Sequence, residues 1–229
     1  EEEARPETGT AKLGTRRIVA HEMYAKPKAT QQLLEDASID VENWLAGKVG
    51  DRMARLEATS FVVGYGVKRP RGILTYPAGS TGATIARFNS GGATTVTADA
   101  IVAMPFQIKT PYLANAAWVM KRSTVQAVML LKDEQDQYLW RPGLAAGTPS
   151  TLGGYMIEMA DDMPAVGAGT LPIAFGDFRR GYTVVDRLGI TTLRDPYSAK
   201  PFVEFYTRKR VGGDVVDFEA FALMVVASN

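Results

Sequence analysis

The feature that most constrains the fold is an alternating segment from Lys200 to Arg210, near the C-terminal end of the chain. One side of the alternation carries Val203, Phe205, Thr207 and Lys209, and the other carries Phe202, Glu204, Tyr206, Arg208 and Arg210. A period of two residues is typical of an extended strand. Each side starts with apolar residues and becomes charged, which predicts a strand running from a packed core to a polar surface. The following Gly212-Gly213-Asp214 is typical of a hairpin turn.

A helical pattern begins after Thr30. Apolar residues recur every one or two helical turns, as one stripe of an amphipathic helix would. The stripe consists of Leu34, Val41, Leu45, Val49, Met53 and Leu56. We predict a helix from Ile39 to about Phe61, capped by Ser38 and ended by Gly64. Such a helix is about 33 Å long and suits a spine. Gly47 and Gly50 weaken it, so we expect another backbone to pack closely against them.

The middle of the chain is mixed in character. The stretch from Gly64 to Thr97 is rich in Gly, Thr, Ser and Pro, which predicts a connector outside the core. Residues 99–109 and 123–133 are predicted helices, separated by a buried strand between Tyr112 and Met120. That order suggests a compact α/β-type layer. Further short strands are predicted near Met156, Leu171 and Tyr182.

Composition excludes several classes of protein. The 26 basic and 25 acidic side chains nearly cancel, which disfavours intimate DNA binding but allows a locally basic inner surface. The absence of cysteine excludes disulfides, thiolate metal sites and cysteine nucleophiles. No apolar run approaches the length of about eighteen residues that a membrane span needs, and the N-terminal residues lack the features of a signal peptide. Because the chain does not begin with Met, we expect a fragment, a cleaved product or a chain without its start.

No group of residues points to catalysis. His21 is the only histidine, and the sequence marks no partner for a triad or a metal site. The glycines between Gly64 and Gly72 lack the Gly-Lys-Ser/Thr end of a phosphate loop. The acidic run from Asp133 to Asp136 lacks the glycine of a calcium loop, and Asp161-Asp162 is typical of a turn. We therefore predict no catalytic, cofactor-binding or metal site, and no enzyme.

A series of short motifs runs along most of the chain. Upstream are Leu33–Glu42, Phe61–Gly66 and Pro70–Leu74. Downstream are Gly176-Asp177, Gly181-Tyr182, Val184, Asp186-Arg187, Arg194-Asp195-Pro196, Arg210, Gly212-Gly213, Val215, Asp217 and Ala220-Phe221. The order of these motifs, from about Ala20 onward, resembles the major capsid proteins of tailed phages of the Hong Kong 97 type.

The resemblance implies an α+β fold with a long spine helix, a peripheral domain, an axial domain and part of the extended E-loop. Residues 1–25 would be the returning strand of the E-loop, a hairpin arm whose partner is absent. The peripheral domain would comprise 26–76 and 181–213, and the axial domain 77–180 and 214–229. Gly212 and Gly213 would then form a bend that joins the domains, and not a hairpin turn. The two interpretations differ in whether residues 203–210 pair with 215–223.

Charged clusters of opposite sign lie on separate segments, which suits head-to-tail contacts that close into rings. The predicted interface residues are Arg16, Arg17, Lys68, Arg69, Arg71, Arg208, Lys209 and Arg210. Contacts between rings are expected at 208–210 and 1–17, while ordinary solvated charge is the alternative for each cluster. Some relatives cross-link a lysine to an asparagine, but Ala4–Glu7 and Pro201–Val203 contain neither. We therefore expect no autocatalytic cross-links, because arginine is a poor nucleophile.

The function that the resemblance implies is self-assembly without chemistry. The subunits would form hexamers and pentamers of an icosahedral head around double-stranded DNA, touched through non-specific contacts. The expected partners are a portal and a maturation protease, and assembly would occur in the bacterial cytoplasm, in a phage or a phage-derived gene transfer agent. An encapsulin-like compartment around a cargo enzyme is the alternative, followed by a soluble hydrolase.

Overall fold

Two β-sheets and one long helix organise the chain in a computed structural model that describes residues 15–133, 135–140 and 151–227. The strands are β1 His21–Ala25, β2 Lys28–Thr30, β3 Ala86–Asn89, β4 Ala117–Met120, β5 Thr151–Leu152, β6 Tyr155–Met159, β7 Ile173–Gly176, β8 Tyr182–Ala199, β9 Phe202–Val215 and β10 Phe221–Val225. The helices are α1 Gln31–Asp36, α2 Val41–Val63, α3 Ala98–Ala103, α4 Arg122–Met129 and α5 Phe178–Gly181.

The four-stranded sheet is built around β9, the alternating strand expected from the sequence. Antiparallel β8 pairs along one edge of β9, and β1 and β2 pair along the other edge. The predicted hairpin turn at Gly212-Gly213 is wrong, because both glycines continue the strand opposite Val185 and Val184. The strand expected to lack a partner has one, since β1 pairs with β9 from His21 to Ala25. Residues 203–210 therefore pair with β8, β1 and β2, and not with 215–223.

Helix α2 is the predicted spine, and it packs on one face of this sheet. Its N-cap is Asp40 and not Ser38, since the Asp40 carboxylate accepts a 3.0 Å hydrogen bond from the Asn43 amide. The apolar stripe of α2 starts at Val41, which packs with Val203 and Phe205 of β9. The prediction that another backbone packs closely against Gly47 and Gly50 is wrong for the part of the chain that the structure describes, because none of its atoms lies within 4 Å of either missing Cβ.

The six-stranded sheet has the order β3-β10-β7-β4-β6-β5 and carries the larger core. Its largest fully buried side chains include Trp118, Tyr76, Phe175 and Phe221. Burying one such side chain contributes roughly 1.5–3 kcal/mol relative to leaving it in water. Tyr76 and Ile85 belong to the stretch predicted as a connector, so that prediction is wrong. The stretch enters the core because β3 pairs in parallel with β10, far away in sequence.

Four other predicted elements differ in extent. The helix predicted over 99–109 is α3 followed by a 3-10 turn from Met104 to Gln107. The predicted helix 123–133 is α4, which ends at Met129. Only Ala117–Met120 of the predicted strand is extended, because Pro111 opens a 3-10 helix over Thr110–Asn115. The strand predicted near Leu171 starts at Ile173.

Candidate assembly interface

Strand β9 connects the two packed regions of the molecule. Val203 and Phe205, near its start, lie in the small cluster with α2, and Val215, its last residue, lies in the large core. The segment after α2 crosses β9 near the end of the strand, where the Arg71 amide donates to the Gly213 carbonyl at 3.0 Å. The Tyr182 hydroxyl donates to the Arg71 carbonyl at 2.8 Å. Three remote segments therefore meet at the last residues of β9.

A polar network around Asp214 ties this meeting point together. One carboxylate oxygen accepts from the Tyr76 hydroxyl and from the Val215 amide, and the other lies 3.3 Å from the Arg16 guanidinium. Arg16 also lies over the Phe218 ring, 4.7 Å from its centroid. Burial, followed by the hydrogen bond to Asp214, raises the pKa of Tyr76 to about 12. The phenol therefore remains a donor at physiological pH.

Glycine is required at 212 and 213 because other segments approach the backbone closely there, and not because the chain turns. A Cβ at Gly212 would lie 2.6 Å from the Val19 carbonyl oxygen. A Cβ at Gly213 would lie 2.5 Å from the Tyr182 hydroxyl oxygen and 2.9 Å from the Phe61 ring. Glycine inside a strand often marks such a contact. These two residues let the N-terminal segment and α2 approach the sheet from opposite faces.

Lys209, one of the predicted interface residues, is bound inside the chain. Its ammonium lies 2.7 Å from Glu57 Oε1 of α2 and 3.6 Å from Asp186 Oδ2 of β8, and its side chain is 16% exposed. Burial acts to lower the pKa of Lys209, but the hydrogen bonds and attraction to these carboxylates raise it overall. The sequence feature that could have indicated this contact is Glu57, which follows Met53 by one turn on the buried stripe of α2.

Arg16 and Arg71 likewise make contacts inside the chain, since Arg71 lies over the Tyr76 ring at 3.9 Å. Arg69 and Lys68 are exposed on the loop after α2. Arg17 and Arg210 come together, and both line a shallow depression with Val185 and Arg187. The structure thus divides the predicted residues into an inner group and an outer group.

Opposite α2, none of the segments that the structure describes covers the sheet beside Tyr206 and Arg208, and we call this part of the sheet the open face. It carries the even-numbered residues of β9, including Tyr206 and Arg208, and their cross-strand neighbours. Two of these neighbours are apolar and strongly exposed, namely Tyr24 at 69% and Leu193 at 64%. Tyr24 and Leu193 belong to no motif in the sequence, and Arg187 stands there only in the Asp186-Arg187 motif. Only the pairing of β1 and β8 with β9 places them beside Arg208 and Arg210.

At the far end of the open face, Glu204 is held by two lysines. Its carboxylate oxygens lie 2.8 Å from Lys28 and 3.0 Å from Lys26, and its side chain is 8% exposed. The hydrogen bond from Lys28, followed by that from Lys26, lowers the pKa of Glu204 below its ordinary value of 4.5. The three residues fix β2 and the segment before it to β9.

This arrangement predicts an acid-sensitive contribution to stability. A depressed folded-state pKa stabilises the fold above the unfolded-state value, and that stabilisation is lost as pH falls through the folded-state value. We expect urea unfolding of the wild type to become easier between about pH 5 and pH 3, and Glu204→Gln to flatten this dependence. Equal pH slopes for the two proteins would contradict the assignment. Glu158→Gln, on an exposed strand position without an ion pair among the described residues, is the matched control.

The remaining sequence expectations are placed as follows. His21 lies in β1 opposite Val211. Asp161 and Asp162 form a turn, as predicted, and Asp162 accepts a 2.6 Å hydrogen bond from Thr59 of α2. The E-loop stretch Ala4–Glu7 lies outside the described residues. No helix within the described ranges combines the length and the apolar character that a membrane crossing needs.

Comparisons with known proteins identify the architecture. The model of the phage capsid family matches residues 1–226. The capsid of a native GTA particle is 42% identical with a TM-score of 0.91, and the match covers 99% of this chain and 79% of that chain. A solved structure from Gordonia phage Cozz is 11% identical with a TM-score of 0.62, and the match covers 99% of this chain and 80% of that chain.

An encapsulin of Synechococcus elongatus PCC 7942 is also similar in fold, at 12% identity and a TM-score of 0.66, covering 92% of this chain and 75% of that chain. A comparison with curated proteins gives no match. This chain shares sequence as well as fold with the GTA capsid, whereas its likeness to the Gordonia phage Cozz and encapsulin structures is one of fold. The predicted Hong Kong 97-type fold is therefore confirmed. The chain belongs to the phage capsid family, and it is a major capsid protein of an icosahedral shell.

Proposed function

We propose that this capsid protein forms the hexamers and pentamers of a gene transfer agent shell that encloses double-stranded DNA. The observation that supports this choice is 42% identity over 99% of the chain with the capsid of a GTA particle, at a TM-score of 0.91. A phage head built from the same subunit is the closest variant of the proposal. In either particle the protein acts by burying complementary surface, without chemistry of its own.

The proposal assigns the two sheets to two domains. Strands β2, β8 and β9 up to Gly213, together with α2, form the peripheral domain over residues 26–76 and 181–213, and β1 of the E-loop segment completes their sheet. The six-stranded sheet forms the axial domain, over 77–180 and 214–229, at the centre of each ring. Residues 1–25 are the returning strand of the E-loop. Gly212 and Gly213 join the domains as straight extended strand, and the Asp214 network fixes the joint.

The open face is the proposed contact with a neighbouring subunit. It combines exposed apolar side chains, Tyr24 and Leu193, with the cations Arg208 and Arg210 and with nearby Arg17. Apolar anchors surrounded by arginine are typical of the residues that dominate interface energy. Lys68 and Arg69 form a second proposed contact on the loop after α2. Arg16, Arg71 and Lys209 support these surfaces from within the chain.

Reversing the charge of the open face is expected to block assembly. We predict that the double variant Arg208→Glu/Arg210→Glu folds but forms few or no shells, since like charges placed at an interface cost several kcal/mol. Electron microscopy and sedimentation velocity measure the assembled fraction, and circular dichroism checks the fold. The matched control is Arg122→Glu/Arg179→Glu, which reverses two exposed cations on α4 and α5.

Two results would count against the proposal. Shell formation by the open-face variant at the wild-type level would remove this face from the interface. A wild-type protein that stays monomeric in electron micrographs under every assembly condition would contradict shell formation itself.

The proposal also implies partners beyond the subunit. A shell that packages DNA needs a portal through which the DNA enters, and relatives of this family are trimmed by a maturation protease. Assembly is expected in the bacterial cytoplasm, where the DNA is. These partners rest on family membership and not on any surface of the chain.

A further inference from the structure

One side of α2 carries a row of cations that neither the sheet nor the interface proposal uses. Lys48, Arg52 and Arg55 recur at intervals of four and three residues, so they lie on one stripe of the helix. All three residues are exposed, and no ion pair joins them to a carboxylate within the described ranges. Asp51, three residues after Lys48 and four before Arg55, lies on the same side of the helix, so the stripe carries three cations and one carboxylate and keeps a net positive charge.

An aromatic residue extends the stripe by one turn. Trp44 is 53% exposed, and the Lys48 ammonium lies 5.9 Å from the centroid of its ring. Because the Trp44 ring is largely exposed, it adds little to the buried apolar area of the monomer. Its cation–π contact with Lys48 at an exposed site is weak.

The dimensions of the stripe match a polyanion with closely spaced charges. Lys48 and Arg55 are seven residues apart, which is about 10 Å along a helix axis. Duplex DNA carries one negative charge per about 1.7 Å, so about 10 Å of duplex presents roughly six phosphates to three cations. Lysine and arginine side chains bind phosphates and not base edges, which suits contacts that must tolerate any DNA sequence. A folded protein partner would instead need a continuous apolar centre, and Trp44 is the one large apolar side chain on the stripe.

We propose that the α2 stripe of Trp44, Lys48, Arg52 and Arg55 is the surface through which this subunit contacts packaged double-stranded DNA. The inference rests on the proposed function and deepens it, since it gives the DNA a place on the subunit. It assigns the two sides of the peripheral domain to different partners. The open face of the sheet meets neighbouring subunits, and the helix on the opposite face meets nucleic acid.

The near-zero net charge of the chain is compatible with such a contact. Each subunit supplies at most three phosphate contacts, so a single chain binds weakly and the salt dependence is modest, with a slope of about −2.7 in log K against log salt. Many subunits in a shell act together on one DNA molecule, and linkage of weak sites raises the overall affinity without new contacts.

The test compares duplex binding by the full chain and by two triple variants. Lys48→Gln/Arg52→Gln/Arg55→Gln removes the stripe, and Arg122→Gln/Arg179→Gln/Lys200→Gln removes the same charge from separate exposed positions. Fluorescence anisotropy with a labelled duplex at about 50 mM salt gives the affinity, which is expected to fall about tenfold or more for the stripe variant only. Two duplexes of unrelated sequence are expected to bind equally well.

Shell formation by the same preparations is followed by electron microscopy, so that the two proposals fail separately. Shells that form normally from the stripe variant, together with the loss of duplex affinity, support the DNA surface. Equal loss of affinity in both triple variants would overturn it, because total charge and not the stripe would then govern binding. A stripe variant that keeps its DNA affinity but no longer assembles would also overturn it and assign α2 to a protein contact. A wild-type chain that never assembles contradicts the proposed function, whatever the anisotropy shows.

Discussion

Replacing Gly176 by alanine is expected to lower the free energy of unfolding by about 4 kcal/mol, at the upper end of what single substitutions cost. Gly176 ends β7 in the larger core with a φ of 154°, a conformation that side chains rarely adopt. A Cβ there would lie 2.0 Å from the Ala220 carbonyl oxygen and 2.8 Å from the Phe221 Cα. Both contacts are backbone atoms of the neighbouring chain segment, so the sheet itself must shift.

Urea unfolding followed by tryptophan fluorescence measures this effect. Trp118 is a suitable probe because it is buried in the same core, with its ring centroid 4.5 Å from that of Phe175. Gly47→Ala is the matched control, since it makes the same substitution in α2 where nothing lies within 4 Å. The control is expected to raise stability by about 1 kcal/mol, the helix propensity difference between the residues. A Gly176→Ala protein with the unfolding midpoint of the wild type would contradict the close approach of β7 to residues 220 and 221.

Gly213→Val is expected to cost about 3 kcal/mol, the size of an overpacking effect in a well-packed site. The new side chain must enter the space between the Tyr182 hydroxyl and the Phe61 ring, which lie 2.5 Å and 2.9 Å from the Cβ position. Relief requires α2 or the start of β8 to move away from β9. Because this position is the proposed domain joint, we also expect fewer complete shells from the folded fraction.

The control for this substitution lies in the same sheet. Gly189 of β8 has nothing within 4 Å of its missing Cβ, and it is exposed. Gly189→Val is expected to leave the unfolding midpoint unchanged or slightly raised, because β-branched residues suit exposed strands. If both valine variants unfold alike, the cost reflects the residue type and not the joint.

Local pattern was sufficient for the elements whose stabilising contacts lie close in sequence. Helix α2 was predicted within a few residues, since its apolar stripe repeats with the helical period and Gly64 ends it. Its cap differed because Asp40 and Ser38 are both good capping residues, and only the local backbone decides which side chain reaches the free amides. Strand β9 was predicted as far as Arg210 because the period of two residues is visible in the sequence, although Val203, Glu204 and Phe205 are all buried in the structure.

Pattern failed where a distant segment decides the outcome. The stretch after Gly64 has the composition of a connector, yet Tyr76 and Ile85 are fully buried because β10 supplies the partner strand for β3. Gly212 and Gly213 are typical of a turn, yet they continue β9 because Val185 and Val184 of β8 lie opposite them. Strand β8 is exposed on both faces over most of its 18 residues, so it offers no alternation from which its length could be predicted.

The sequence by itself determined the family, the spine helix, the central strand and the absence of any recognisable catalytic pattern. Tertiary structure alone decided which of the predicted interface cations are paired inside the chain. Arg16 and Lys209 look no different from Arg17 and Arg208 in the sequence, but Asp214 and Glu57 approach the first two from 198 and 152 residues away. The partner of each charge inside the chain is set by long-range packing that no local pattern contains.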